Sequence, residues 1–124
     1  MVARVLVVED EFLVGLQLEE DLRAHGCEVL GPYPTLATAI EAARVQTFDL
    51  AILDVNLRGE KVYPLADELM DRGKPAILIS GYTLSDMPDR FRALPHLAKP
   101  YGPHALGQEI RRAIAGAKSG GGGK

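Results

Sequence analysis

Apolar positions recur along this chain with two different spacings, and the alternation between them predicts the architecture. Short runs rich in Val, Ile and Leu, at Arg4–Val8, residues 28–31, residues 49–53, residues 76–79 and His96–Ala98, are continuous in hydrophobicity, as expected of parallel strands covered on both faces. Helix-length patterns separate them. Phe12–Ala24 reads as a first helix, with Phe12, Leu13 and Leu16 spaced to face the sheet, and Gly26 stands where that helix stops. Thr35 is placed to cap a second helix whose Leu36, Ala39, Ile40 and Ala43 form an inward stripe. After a loop at 55–63, residues 64–72 read as a helix with Pro64 at its start, Gly73 just past its end and Pro75 beyond. Pro88 and Pro95 leave room for only a short helix within 86–92, and Leu106, Ile110, Ala113 and Ile114 mark a last one. The prediction is an α/β fold: a (βα)5 doubly wound parallel sheet of five strands with a short fourth helix.

In such sheets, chemistry collects in the crevice beyond the carboxyl ends of the strands. Glu9 and Asp10 follow the first predicted strand, Asp54 the third, Ser80 the fourth and Lys99-Pro100 the fifth. Carboxylates crowded at one point repel, so each gains proton affinity unless a cation neutralises the group. Mg²⁺ prefers oxygen ligands, keeps several waters, and typically takes one or two carboxylates plus a phosphoryl oxygen. Asp10 and Asp54 fit as direct ligands and Glu9 as one acting through water, with Lys99 as counter-ion to the acids. Each residue also has a plainer reading. Asp54 could cap the next helix, Glu9-Asp10-Glu11 could be an acidic turn that favours a helix dipole, Ser80-Gly81-Tyr82 could be a turn, and Lys99 a surface lysine. Five positions in the required order and context outweigh these alternatives.

Size and composition narrow the field. The 124 residues lie near the commonest domain size and divide into a domain at 1–117 and a glycine-rich stretch at 118–124, expected to be a flexible tail. At 47% hydrophobic, 25% charged and a net charge of −3, the chain has the composition of an ordinary soluble globule. Nucleic acid is not an expected partner, because Arg111-Arg112 is too small a pair to make a basic stripe. A single cysteine, Cys27, excludes an internal disulfide; it reads as a small packed residue in a reducing setting. The expected location is cytoplasmic, since no leader opens the sequence and no apolar run approaches the roughly 20 residues of a membrane helix.

Taken together, Glu9-Asp10, Asp54, Ser80 and Lys99-Pro100 resemble the receiver domain of bacterial two-component response regulators, over about residues 3–116. The resemblance implies that Asp54 is the phosphoacceptor, that Glu9 and Asp10 belong to a Mg²⁺ site joined by Asp54 and the Asn56 main-chain carbonyl, and that Ser80 is the switch hydroxyl. It further implies a cis Lys99–Pro100 bond. The phosphoryl donor would be a phosphohistidine on a histidine kinase or histidine phosphotransfer protein, and output would pass to a downstream protein or by onward phosphotransfer. Such a chain catalyses only its own phosphorylation and dephosphorylation.

Alternatives are a receiver-like adaptor that works without phosphorylation, or a receiver cut from a hybrid histidine kinase. A dehalogenase-type phosphatase would carry Asp-x-Asp at the first strand, which Glu9-Asp10-Glu11 does not supply. A nucleotide-binding turn would be glycine-rich, whereas this one is acidic.

Two departures from the family pattern bear on output. His96 stands three residues before Lys99, where many receivers carry an aromatic that turns inward with the switch hydroxyl. Tyr82, two residues after Ser80, is a possible substitute. It gives a partial match to an atypical alphaproteobacterial subgroup with a Thr-Gly-Tyr-like segment on the fourth strand.

Overall fold

The computed structural model describes residues 2–81 and 87–122, with side chains described to residue 115. Strands β1 (Arg4–Val8), β2 (Glu28–Tyr33), β3 (Leu50–Asp54), β4 (Ala76–Ser80) and β5 (His96–Ala98) form one sheet in the order β2-β1-β3-β4-β5. Every pairing in it is parallel. Helices α1 (Phe12–Ala24), α2 (Leu36–Val45), α3 (Tyr63–Asp71) and α4 (Pro103–Gly122) cross between or follow the strands. The chain order reverses between β1 and β3, and an open sheet leaves a crevice at such a switch point.

Alternation along each strand divides the core in two. Leu6 and Val8 of β1, Ala51 and Leu53 of β3, and Ala76 and Leu78 of β4 pack with α2, α3 and Phe91. Their neighbours Val5, Val7, Leu50, Ile52, Ile77 and Ile79 pack on the opposite face with Leu18 and Leu22 of α1 and Leu106 and Ile110 of α4. All five residues of β3 and of β4 are buried, which accounts for their unbroken apolar sequence.

Local signals fix the helix ends. Thr35 caps α2, its hydroxyl accepting from the Thr38 amide at 3.1 Å. Gly26, at φ +83°, closes α1: its amide donates to Arg23 O and the Cys27 amide to Leu22 O, the paired bonds of a Schellman end. Gly73 and Lys74 repeat the arrangement on Met70 and Leu69 at the end of α3.

The structure corrects two expectations. Phe12 and Leu13 are 79% and 74% exposed and Leu16 is also exposed; the buried positions of α1 are Gly15, Leu18 and Leu22. The apolar stripe with the deeper contacts starts at Gly15, whose missing side chain admits Pro32 of β2. The fourth crossover contains a single 3₁₀ turn, Asp89–Phe91, among its described residues. Pro88 at its head lacks an N–H, and one turn suffices to bury Phe91, which stacks on Tyr63 at 4.9 Å between centroids. Helix α4 runs as far as Gly122. A ladder already nucleated on packed turns adds one hydrogen bond per residue, even through weak helix formers.

Gly31 is the most constrained backbone position near the site. Its φ is +100°, and a Cβ there would lie 2.7 Å from Val7 O and 2.8 Å from the Tyr33 amide nitrogen. Gly31→Ala therefore combines backbone strain with a clash against main chain, at a cost of about 3 kcal/mol. Gly26→Ala meets open space and should lose only about 1 kcal/mol from its left-handed φ. Urea unfolding of the two variants should reproduce that order, and equal midpoints would contradict it.

Candidate functional site

The carboxyl ends of β1, β3 and β4 bring the predicted residues to one place. Asp54 is the last residue of β3 and Ser80 the last of β4; both are buried. Glu9 follows β1 directly, is buried as well, and its amide donates to Tyr33 O at 3.0 Å, which ties it to the end of β2. Lys99 follows β5, its amide donating to Ser80 O at 3.0 Å, and the Lys99–Pro100 bond is cis as expected.

At the centre, Lys99 Nζ lies 3.2 Å from Asp54 Oδ2, 3.5 Å from Glu9 Oε1 and 3.6 Å from Glu11 Oε1. One ammonium thus serves three carboxylates. Burial pushes Glu9 up to about 7, helped by a hydrogen bond shared with Asp54 and by that residue's charge, which favours its protonated form. Burial acts against the Lys99 charge, but Asp54 and Glu9 outweigh it and hold the ammonium above its ordinary value. Burial also pushes the neighbouring Tyr101 phenol up to about 12, with the Glu9 charge adding to it.

Ligand atoms of Glu9, Glu11 and Asp54 all fall within 4.8 Å of one another. Three oxygen donors so close, one of them with raised proton affinity, fit a hard divalent cation. Glu11 was not singled out as a ligand in the sequence. It sits at the N-cap position of α1, yet its side chain makes no capping bond. The acidic turn is therefore organised around Lys99 rather than around the helix end. Inside it, Glu9 Oε2 accepts the Glu11 amide at 3.1 Å.

Asp10 lies outside that trio. Its Oδ2 is 3.7 Å from Arg58 Nε instead. Arg58 belongs to a small hairpin after β3, in which Asn56–Leu57 pairs antiparallel with Glu60–Lys61. Asn56 is committed to this hairpin: its amide donates to Asp54 Oδ1 at 3.3 Å, and its side-chain oxygen accepts from the Gly59 amide at 2.8 Å. The only sequence hint of Arg58 was a basic residue before a glycine in the loop at 55–63.

His96 is partly buried on β5 opposite Leu78, and its Nε2 has no hydrogen-bond partner among the described residues. Burial lowers its proton affinity, which favours the neutral ring. Tyr82 lies outside the described residues.

No family model matches the chain. Comparison with individual proteins is informative. The transcriptional regulatory protein PdtaR of Mycobacterium tuberculosis is 31% identical over 116 residues, covering 90% of this chain and 57% of its own length. The chain spans roughly half to three-fifths of the curated relatives it matches. SdrG from Sphingomonas melonis Fr1 is 34% identical over 94% of this chain and 96% of its own, with a TM-score of 0.77. The receiver domain of the sensor histidine kinase PA1611 from Pseudomonas aeruginosa, solved with a magnesium ion in its active-site cleft, shares the fold: TM-score 0.80, 22% identity, 93% of this chain and 99% of that one. Other solved structures that match are receiver domains of response regulators. With the sheet order and the Glu9, Asp54, Ser80 and Lys99 arrangement, these likenesses show that the chain belongs to the response regulator receiver domains.

Proposed function

We propose that the chain accepts a phosphoryl group on Asp54 from a phosphohistidine of a histidine kinase or histidine phosphotransfer protein, and that the modified domain acts by protein contact or by passing the group onward. The observation that carries this reading is the buried Asp54 carboxylate held 3.2 Å from Lys99 at the open end of the sheet. Phosphoryl transfer asks little covalent chemistry of a protein beyond positioning and charge stabilisation. An Asp54 oxygen attacks phosphorus, the P–N bond to imidazole breaks, and the electron pair stays on the imidazole nitrogen. Lys99 Nζ is placed to accompany the charge that moves onto the phosphoryl oxygens. The Ser80 hydroxyl, on the neighbouring strand, would donate to another of them.

Glu9, Glu11 and Asp54 would hold a Mg²⁺ ion, with Asp10 and the Asn56 carbonyl completing the set. The magnesium ion in the active-site cleft of the PA1611 receiver domain supports a Mg²⁺ site at this place in the fold. When bound, Mg²⁺ supplies screening of the acids and polarisation of a phosphoryl oxygen. The chain turns over only its own phosphoryl group and is not an enzyme acting on other substrates.

Phe12, Leu13 and Leu16 extend the site into an apolar surface on the first turns of α1, next to Glu11. Exposed large side chains grouped beside a reactive carboxylate suit the docking of a helical phosphodonor. No helix among the described residues is long and apolar enough to cross a membrane.

Intact-mass spectrometry after incubation with acetyl phosphate and Mg²⁺ should show a single phosphoryl adduct, absent in Asp54→Asn and without Mg²⁺. No adduct on the folded native chain would overturn the proposal. Leu13→Glu should slow transfer from a phosphohistidine donor about tenfold and leave labelling by acetyl phosphate unchanged; equal slowing of both would remove the docking role.

Proton linkage supplies a further expectation. Glu9 binds its proton more tightly folded, at about 7, than at its ordinary 4.5. Between those values the folded state holds more protons than the unfolded one, so the contribution of Glu9 is full below about pH 4.5 and lost as pH rises through about 7. Thermal melts without divalent cation should show Tm falling across this window. Glu9→Gln should flatten the fall, and Mg²⁺ should raise Tm more at pH 8 than at pH 5. An unchanged slope in Glu9→Gln would refute the assignment.

A further inference from the structure

We propose that Arg58 is an exchangeable counter-ion for Asp10: it holds this carboxylate while the site is free of metal and is displaced by a divalent cation, and so sets the cation affinity of the site. The inference rests on the reading of the acidic cluster as a cation site and adds a regulatory residue to it.

The charge balance comes first. Four carboxylates, Glu9, Asp10, Glu11 and Asp54, meet at the ends of β1 and β3, and Lys99 lies within salt-bridge distance of Glu9, Glu11 and Asp54. Among the described residues the charged neighbour of Asp10 is Arg58, Nε to Oδ2 at 3.7 Å. That carboxylate has only 11% of its side chain exposed, whereas 73% of Arg58 is in solvent.

The contact is built to break. A separation of 3.7 Å is an ion pair without a good hydrogen bond. Elsewhere on this surface arginines are locked at two points: Arg44 to Glu68 at 2.9 and 3.1 Å, and Arg90 to Asp67 at 2.8 and 3.1 Å. Single-point ion pairs with one partner largely in solvent are weak and salt-sensitive.

The contact is also aimed. Arg58 has φ +54° and Gly59 φ +88°, the signs of a tight hairpin turn that favours Asn-Gly or Gly-Gly at these places. An arginine at the first position bears a conformational cost, while the hairpin beneath it is fixed by the Asn56 to Gly59 bond and by the Val62 amide on Val55 O at 2.9 Å. The guanidinium is thereby held across the crevice between β1 and β3. Mg²⁺ takes carboxylate oxygens at short distance, and an Asp10 carboxylate that gives charge to the ion has less left to hold a guanidinium. Repulsion between the two cations drives Arg58 outward.

Isothermal titration with MgCl₂ at low ionic strength tests this on the native chain, Arg58→Gln and Arg58→Gly. Gln removes the charge and keeps the strained turn; Gly removes both. Both variants should bind Mg²⁺ about two- to fivefold more tightly than the native chain, with the difference shrinking as KCl is added. In the native protein, Mg²⁺ should also shift the Gly59 amide and Arg58 Nε–H resonances. Tightening in Arg58→Gly alone would assign the effect to turn strain and overturn the proposal, as would equal affinities in all three proteins. A native chain that binds no Mg²⁺ would instead bring down the underlying reading of the site.

Discussion

Three carboxylates share one ammonium at the heart of this protein, and two of the acids, Glu9 and Asp54, are almost wholly withdrawn from water. Withdrawing a carboxylate from solvent is expensive unless a cation or hydrogen-bond donors replace the lost hydration. Lys99 supplies the cation, and its stem is anchored at the end of β5 by a main-chain bond to Ser80. The arrangement falls short of full compensation, and Glu9 reflects this by holding a proton up to about 7. That residual charge imbalance is one that a divalent cation would relieve. A fully compensated cluster would be a structural feature and nothing more.

The rest of the molecule can be understood as the frame that keeps these groups from moving apart. Apolar packing on both faces of β3 and β4 fixes the strand ends to which Asp54 and Ser80 belong. The Glu9 amide is pinned to Tyr33, and Gly31 admits the close approach of Val7 that this pairing needs. A sheet gives its strand ends rigidity that a loop alone would lack, which suits chemistry dependent on positioning.

Much of this was legible in the sequence because strands buried on both faces leave an unmistakable run of branched apolar residues. β1 and β5 fall where the pattern put them, as do the Thr35 cap and the Gly26 stop. The convergence of Glu9, Asp54, Ser80 and Lys99 followed from topology. The face of α1 did not, because Phe12, Leu13, Leu16, Leu18 and Leu22 offer two apolar stripes. Periodicity cannot choose between these; the contact of Gly15 with Pro32, distant in sequence, does. For the same reason the partner of Asp10 was hidden. Arg58 reaches it through the geometry of a hairpin that has only two paired residues on each side. Glu11 stands before a helix, a place that suggests capping, and only the structure shows its carboxylate turned to Lys99.

The two margins of the sheet deserve a last thought. β5 is three residues long and bounded by Pro95 and Pro100, while β2 carries Pro32 within it and has Pro34 just beyond its end. A strand from another molecule would find few consecutive free amides on either margin, and proline and brevity are among the devices by which sheets escape end-on polymerisation. With 47% hydrophobic residues and a modest net charge of −3, the chain has little electrostatic protection against self-association. Its blunt margins supply that protection by steric means, so that the sheet itself is a poor template for aggregates.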